Sequence, residues 1–104
     1  MMSFDLKTND DGAEIELASV MDMRAAEPLK ASLLEALAAQ RPLSIKADAV
    51  DRMSTPCIQV LIAAATAMKR TEMPFKLTGP SDAFIDAFND LGLFPVLKQW
   101  DIEK

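Results

Sequence analysis

The chain has 104 residues, of which 50% are hydrophobic, and its 11 basic and 16 acidic residues give a formal net charge of −5. This composition supports one folded domain rather than two, and the acidic balance argues against nucleic acid as a partner, because phosphate binding needs clustered Lys and Arg. With no His and one Cys, the sequence offers no His general base, no metal-ligand cluster and no internal disulfide. We therefore expect no cofactor and no enzyme activity.

The sequence carries no signal for export or membrane insertion. Residues 1–5 lack the basic and apolar regions of a signal peptide. The longest segment without a formal charge, residues 53–68, includes polar side chains and falls short of the ~20 apolar residues that span a membrane. We therefore expect a cytoplasmic protein with no direct membrane insertion.

Two short segments that alternate apolar and polar residues predict an antiparallel hairpin at the start of the chain. Residues 4–7 and 13–17 have the period of half-buried strands. Residues 8–12 between them are rich in turn formers and end in Asp-Gly, a hairpin signal. A helix candidate follows over residues 22–40, where leucines recur every fourth residue, and its regular part is expected to begin near Glu27.

The remaining segments alternate between strands and helices. Residues 43–48 predict a third strand, and residues 56–70, apolar nearly all round, predict a helix packed against a sheet. Residues 74–78 predict a fourth strand. Ser81 is expected to cap a third helix that closes at Gly92, and the apolar residues beyond it indicate a tail that docks on the domain.

The predicted order of elements is β-β-α-β-α-β-α. After the hairpin, each strand–helix–strand crossover implies parallel pairing with a right-handed connection. No repeat or linker interrupts the pattern. We therefore predict one α/β domain over residues 1–104, with a mixed, mainly parallel sheet of about four strands and packed helices.

The loop before the predicted second helix carries hydroxyl residues that could take part in chemistry. Pro56 is expected at the first helical position, which makes Thr55 the natural N-cap, with its hydroxyl turned toward the free amides of the first turn. These amides and the helix dipole favour an anion, so a phosphate on Thr55 would gain a favourable field while adding about −1.5 to −2 charges to the surface. A purely structural capping role, shared with Ser54, explains the same residues.

Two further groups of residues have a structural explanation beside a functional one. Cys57, in the first turn of the same helix, has either a lowered thiol pKa with redox chemistry or the role of a small buried apolar residue. The acidic patch matches no calcium loop, and we predict that it is solvated. Its residues are Asp10, Asp11, Glu14 and Glu16.

Carboxylates and methionines near the loops likewise have both a functional and a structural explanation. Asp48 and Asp51 lie where a strand gives way to a helix, the usual place for sites in open α/β sheets, but without a metal-ligand cluster we expect surface carboxylates. The methionines near loops form either an adaptable contact surface or core filling. They are Met21, Met23 and Met53.

The segment over residues 50–61, together with the order of elements, resembles the STAS domain family, which includes anti-sigma factor antagonists and the cytosolic domains of sulfate transporters. Thr55 falls on the Ser that a partner kinase phosphorylates in that family, and Ser54 falls where an Asp usually stands. Pro56 and Cys57 replace the Ser and Gly that typically follow.

Further similarity to this family lies elsewhere in the chain. Met21 and Asp22 resemble the Leu-Asp that precedes the first helix of the family. Residues 78–81 resemble its Val-Gly-Pro-Ser turn, and residues 91–93 resemble its Thr-Gly-Leu before the last segment. The resemblance spans nearly the whole chain, and it is carried by the spacing of these motifs together.

The resemblance implies a regulatory protein of bacterial signal transduction that binds a protein partner. The implied partner is a GHKL-type kinase, either an anti-sigma factor or a signalling histidine kinase, and phosphorylation of Thr55 or Ser54 would modulate binding. The predicted partner-binding residues, which we call the docking surface, are Asp22, Asp51, Arg52, Met53, Ser54, Thr55, Pro56 and Gln59.

Two other functions stay open at this stage. Single-domain members of the STAS family also include a constitutive subunit of a lipid-transport ABC complex, which binds the cytosolic ATPase and needs no phosphate cycle. A small enzyme or ligand carrier that uses Cys57 is the third alternative, although the sequence shows no acid or base partner for the thiol.

Overall fold

The fold consists of seven strands and four α-helices within residues 6–9 and 12–103, which the computed structural model describes. The strands are β1 (Leu6–Asn9), β2 (Gly12–Glu16), β3 (Val20–Met21), β4 (Leu43–Lys46), β5 (Arg52–Met53), β6 (Phe75–Thr78) and β7 (Asp101–Glu103). The helices are α1 (Ala26–Ala39), α2 (Thr55–Arg70), α3 (Asp82–Asp90) and α4 (Phe94–Leu97), and a 3-10 turn covers Met23–Ala25.

Five of the strands form one mixed sheet in the order β1-β2-β4-β6-β7. The β1–β2 pair is antiparallel, and β2–β4, β4–β6 and β6–β7 are parallel. This confirms the α/β fold and the mainly parallel sheet, but the sheet has one strand more than predicted. In addition, β3 and β5 form a separate parallel pair outside this sheet.

One face of the sheet is covered by helices, and the other face is open. Alternate residues of the central strands are fully or almost fully buried: Ala13, Ile15, Leu43, Ile45, Phe75 and Leu77. They share one hydrophobic core with residues of α1, α2 and α3. The residues between them keep contact with water, as the period of a half-buried strand requires.

The open face of the sheet carries charges of both signs on neighbouring strands. Glu16 on β2 lies 3.8 Å from the Lys46 ammonium on β4. Lys76 on β6 forms an ion pair with Glu103 on β7, and this contact raises the pKa of the Lys76 ammonium. The predicted solvation of Glu16 is confirmed, since it is exposed. This face is therefore hydrophilic.

The hairpin and the first helix agree with prediction within a few residues. β1 and β2 pair from Leu6 with Ile15 to Asn9 with Gly12. The predicted hairpin also involved residues 4–5 and 10–11, which lie outside the described residues. The predicted helix over 22–40 divides into the 3-10 turn and α1, whose C-cap is Gln40 in a left-handed conformation with a φ of 53°.

The third helix has the caps that its sequence predicts. Ser81 Oγ accepts a hydrogen bond from the Phe84 amide at 3.1 Å and donates one to the Val50 carbonyl. At the other end, Gly92 has a φ of 70°, and the Gly92 and Leu93 amides donate to the Asn89 and Phe88 carbonyls. This is the Schellman arrangement, in which glycine accepts the left-handed conformation without steric cost.

The tail docks on the domain, as predicted, through α4 and an aromatic cluster. The Trp100 ring packs edge-on against Phe75 and Phe88, with ring centroids 5.2 Å and 5.5 Å apart. Phe84 stacks on Phe88 at 5.0 Å and is fully buried. These contacts hold the chain beside β6, where residues 101–103 add the fifth strand.

Among the described residues, no helix is both long enough and apolar enough to cross a membrane.

Candidate functional site

The short β3–β5 pair brings together two loops that are distant in sequence. Val20 pairs with Arg52, and Met21 pairs with Met53. The Ser19 carbonyl accepts hydrogen bonds from the amides of Asp51 and Arg52, at 2.7 Å and 3.0 Å. The residues before α1 and the residues before α2 consequently form one surface.

On one side of this surface, Asp22 organises the 3-10 turn. Its Oδ1 accepts a hydrogen bond from the Arg24 amide at 3.0 Å, and its Oδ2 lies 3.1 Å from the Arg24 guanidinium. The side-chain hydrogen bond from Arg24 is the main reason that the pKa of the Asp22 carboxyl lies below its usual value. The Asp22 carbonyl accepts the Ala25 amide at 3.0 Å, which closes the turn.

On the other side, the N-cap of α2 is Ser54, and the prediction that Thr55 is the N-cap is wrong. The Ser54 amide donates to the Met21 carbonyl at 2.8 Å, which keeps Ser54 extended with a ψ of 157°. The Ser54 carbonyl then accepts the first helical hydrogen bond, from the Ile58 amide at 3.1 Å. Thr55 is therefore the first helical residue and Pro56 the second, a position at which proline is still tolerated.

The Ser54 hydroxyl is buried, although the expected cap would point it at the amides of the first turn. Its Oγ has no hydrogen-bond partner among the described residues and makes no side-chain cap bond. A buried polar group without a partner costs about 1–3 kcal/mol, so this hydroxyl does not stabilise the helix.

The two serine caps of the chain provide a matched pair for a stability measurement. Ser81→Ala removes both hydroxyl hydrogen bonds described above and is expected to lower the free energy of unfolding by about 1–2 kcal/mol. Ser54→Ala removes an unpartnered hydroxyl and is expected to leave that free energy unchanged or to raise it by up to about 1 kcal/mol. Urea unfolding measures both values, and a loss at Ser54 as large as that at Ser81 would contradict the geometry.

The residues of the docking surface lie together in the structure. Asp22, Arg52, Met53 and Ser54 line a shallow depression with Met21 and Met23. The first turns of α2 continue the surface: Thr55 and Gln59 are exposed and Pro56 is half-buried, while Asp51 and Arg52 are exposed beside them. The predicted residues are thus neighbours, and their role in binding stays a prediction.

Two neighbours of the docking surface are absent from the sequence-based set. Val20 and Arg24 are exposed beside it, and Met23, predicted as either contact surface or core filling, has 74% of its surface exposed. Met21 is fully buried and fills the core. The signal that could have identified Arg24 is its spacing from Asp22, because Asp-x-Arg before a helix favours a local cap and ion pair.

Cys57 is fully buried, and its thiol donates a hydrogen bond to the Asp22 carbonyl at 3.3 Å. Burial raises the pKa of the Cys57 thiol above its ordinary value. A redox-active cysteine requires a lowered pKa, so the alternative of a small buried residue fits the structure.

The remaining acidic candidates form no site. Asp48 is exposed, and Glu14 is half-buried on the open face of the sheet. Asp10 and Asp11 lie outside the described residues. Within residues 6–9 and 12–103, no three His, Cys, Asp or Glu side chains come close enough together to hold a metal ion.

Solved structures with this fold share little sequence with the chain. An anti-sigma factor antagonist from Thermotoga maritima is 12% identical, with a TM-score of 0.79 over 97% of this chain and 86% of that one. An STAS domain protein from Planctomyces limnophilus is 14% identical, with a TM-score of 0.78 over 99% and 91%. The phosphorylated form of SpoIIAA from Bacillus is 17% identical, with a TM-score of 0.73 over 98% and 91%. The fold is therefore that of an STAS domain.

The sequence itself supports the same assignment. A family profile described as "Mlab, STAS domain" matches residues 4–97, which is most of the chain. No curated protein sequence matches the chain. The chain belongs to the STAS family.

Proposed function

We propose that the chain is a non-enzymatic regulatory protein of the bacterial cytoplasm, which binds a GHKL-type kinase through the docking surface. The partner is either an anti-sigma factor or a signalling histidine kinase, and phosphorylation of Thr55 weakens its binding. The observation that carries this proposal is the exposed Thr55 at the first residue of a sixteen-residue helix, beside exposed charged and apolar side chains. The structural relatives, described as anti-sigma factor antagonists, support it.

Thr55 is a better candidate for modification than Ser54. A kinase must reach the hydroxyl it modifies, and the Ser54 Oγ is buried, whereas Thr55 is exposed. A phosphate on Thr55 would lie near the free amides of the α2 N-terminus, a position that favours negative charge by about 0.3–1 kcal/mol. The modification would therefore leave the fold intact and act on the interface.

The charge environment explains how such a phosphate would act on a partner. Asp22 and Asp51 already place carboxylates on the docking surface, while Arg24 and Arg52 place cations beside them. A partner matched to this mixed pattern would meet about −1.5 to −2 additional charges at its centre. Desolvating that charge without a new cation opposite it costs binding free energy.

Thr55→Glu is expected to weaken binding of the kinase partner at least about tenfold, and Thr55→Ala is expected to retain it. The full chain is used as bait in its native cell, the captured GHKL-type kinase is identified by mass spectrometry, and its affinity is measured by titration calorimetry. Intact mass of the bait reports the phosphate.

Thr66 on the same helix supplies the matched control for this experiment. It is exposed, and its hydroxyl donates to the Ile62 carbonyl, away from the docking surface. Thr66→Glu adds the same charge and is expected to leave the affinity unchanged. Equal affinities of the Thr55→Glu and Thr55→Ala variants would refute the phosphate switch.

A second function is favoured by the family match. The matching profile is described as Mlab, and single-domain STAS proteins include a constitutive subunit of a lipid-transport ABC complex. In that function the docking surface would bind the cytosolic ATPase without a phosphate cycle. Capture of an ABC ATPase by an unphosphorylated bait, with no GHKL-type kinase recovered, would decide for this alternative.

A further inference from the structure

The turn that carries Met23 is fixed from several directions, although Met23 itself projects into solvent. Ala25, two residues further on, is fully buried, whereas 74% of the Met23 surface is exposed. The Asp22 carboxylate holds the Arg24 amide and guanidinium. A long apolar side chain on a well-anchored backbone has the character of a binding anchor, because ordering it in a complex costs little backbone entropy.

A side-chain hydrogen bond from Cys57 ties this turn to α2. Its thiol donates to the Asp22 carbonyl at 3.3 Å, and the same carbonyl accepts the Ala25 amide at 3.0 Å. One oxygen atom therefore closes the turn and joins it to the first turn of the helix. Burial keeps the pKa of the thiol raised, so the sulfur retains its proton as a donor at neutral pH.

We propose that Asp22 and Cys57 act together as positioning residues, which hold Met23 out as the apolar anchor of the docking surface. The partner it fits is a protein with an apolar pocket that admits an unbranched side chain and is bordered by groups that pair with Arg24 and Asp22. This inference rests on the proposed function, since it names the contact through which the same surface binds.

Methionine suits this role for a physical reason. Its thioether chain is flexible and polarisable, so it fills irregular apolar pockets well. Met53 is half-buried and lines the same depression as Met23, so it extends the apolar area beside the Met23 side chain. The Asp22–Arg24 ion pair and Arg52 border it with charge. An apolar centre inside a polar rim is the usual composition of a protein interface.

Amide hydrogen exchange on the free full-length chain tests the positioning step. Cys57→Ala removes the thiol donor, and the Ala25 amide is expected to exchange about five to ten times faster, as for the loss of one hydrogen bond. Cys57→Ser is smaller than cysteine but keeps a donor, and it is expected to retain most of the protection. The Phe84 amide, capped by Ser81 in α3, serves as the internal control and is expected to be unaffected.

The positioning role of Cys57 would be overturned if the Ala25 amide exchanged at the same rate in Cys57→Ala and Cys57→Ser. This holds whether that common rate is faster than in the wild type or equal to it. If Cys57→Ser does not fold, the test is the NMR chemical shift of the Asp22 carbonyl carbon, compared between the wild type and Cys57→Ala. Its NMR signal is expected to move upfield in Cys57→Ala, because an accepted hydrogen bond deshields a carbonyl carbon. An unchanged signal would overturn the proposal.

The role of Met23 as an anchor is tested by titration against the kinase that the full wild-type chain captures in the pull-down. Met23→Ala is expected to weaken binding about tenfold or more, as at an interface hot spot, whereas Met23→Leu retains most of the affinity. Leu91→Ala, at an exposed leucine after α3, is the control and is expected to leave the affinity unchanged. Unchanged affinity of Met23→Ala would overturn the anchor.

The two proposals fail in distinguishable ways. If no kinase is captured, the proposed function fails, while the exchange of the Ala25 amide still decides whether Cys57 positions the turn. If Thr55→Glu binds normally and Met23→Ala does not, the phosphate switch fails and the anchor stands.

Discussion

Phe88→Ala is expected to lower the free energy of unfolding by about 3–5 kcal/mol, the usual loss for a buried phenylalanine. Phe88 is fully buried, and its ring contacts those of Phe84 and Trp100, so its removal opens a cavity between α3 and the tail. The total free energy of unfolding of a domain of this size is about 5–15 kcal/mol, so the variant would be only marginally stable. Urea unfolding followed by the fluorescence of Trp100, the single tryptophan, measures the loss.

Phe94, in the tail that packs on Phe88, supplies the control for this prediction. It is 41% exposed, and its ring lies 5.9 Å from the Lys98 ammonium. Phe94→Ala is expected to cost less than about 1 kcal/mol, as surface substitutions usually do. If both alanine variants lost the same free energy, the aromatic cluster would not be the contact that holds the tail.

Gly12→Ala is the second substitution with a large expected effect, about 3–4 kcal/mol of unfolding free energy. Gly12 has a φ of 142°, which residues with a side chain rarely adopt. A Cβ atom there would overlap the Pro42 carbonyl oxygen and lie 3.2 Å from its carbon. This carbonyl cannot move away cheaply, because it accepts the Ala13 amide at 2.8 Å.

Gly92 separates the two causes of this loss, which are the unfavourable backbone conformation and the overlap with the Pro42 carbonyl. It has a φ of 70°, but a Cβ atom at this position would have no neighbour within 4 Å. Gly92→Ala is therefore expected to cost only the backbone term of about 1–2 kcal/mol. Thermal and urea unfolding of the two variants give the comparison, and a loss at Gly92 equal to that at Gly12 would mean that the contact with Pro42 is unimportant.

The elements that could be predicted from sequence are those with local causes. The α3 helix is bounded by Ser81 and Gly92, whose own side chain and backbone freedom make the caps. The strands β4 and β6 follow from alternation over four residues, which requires one buried face. The docking surface was predicted from the resemblance to the STAS family rather than from a local cause; several of its residues lie together in the structure, and its role in binding stays a prediction.

The parts that could not be predicted depend on long-range contacts. Ser54 rather than Thr55 caps α2 because its amide bonds to Met21, more than thirty residues earlier in the chain. β7 has three residues and no periodic signal, and it forms because Trp100 docks on Phe75 and brings the next residues to β6. The turn that carries Met23 combines a local contact, from Arg24 to Asp22, with a long-range one, from the Cys57 thiol to the Asp22 carbonyl, and only the local contact has a signal in the sequence.

The border of the sheet at β7 has a consequence for solubility at high concentration. A strand that ends a sheet exposes backbone donors and acceptors to which another chain can add, and this is a common beginning of aggregation. β7 is short and places the carboxylates of Asp101 and Glu103 on either side of Ile102. Glu103 is paired with Lys76, so the shortness of the strand and the Asp101 carboxylate are the features that would discourage another chain from adding along this border.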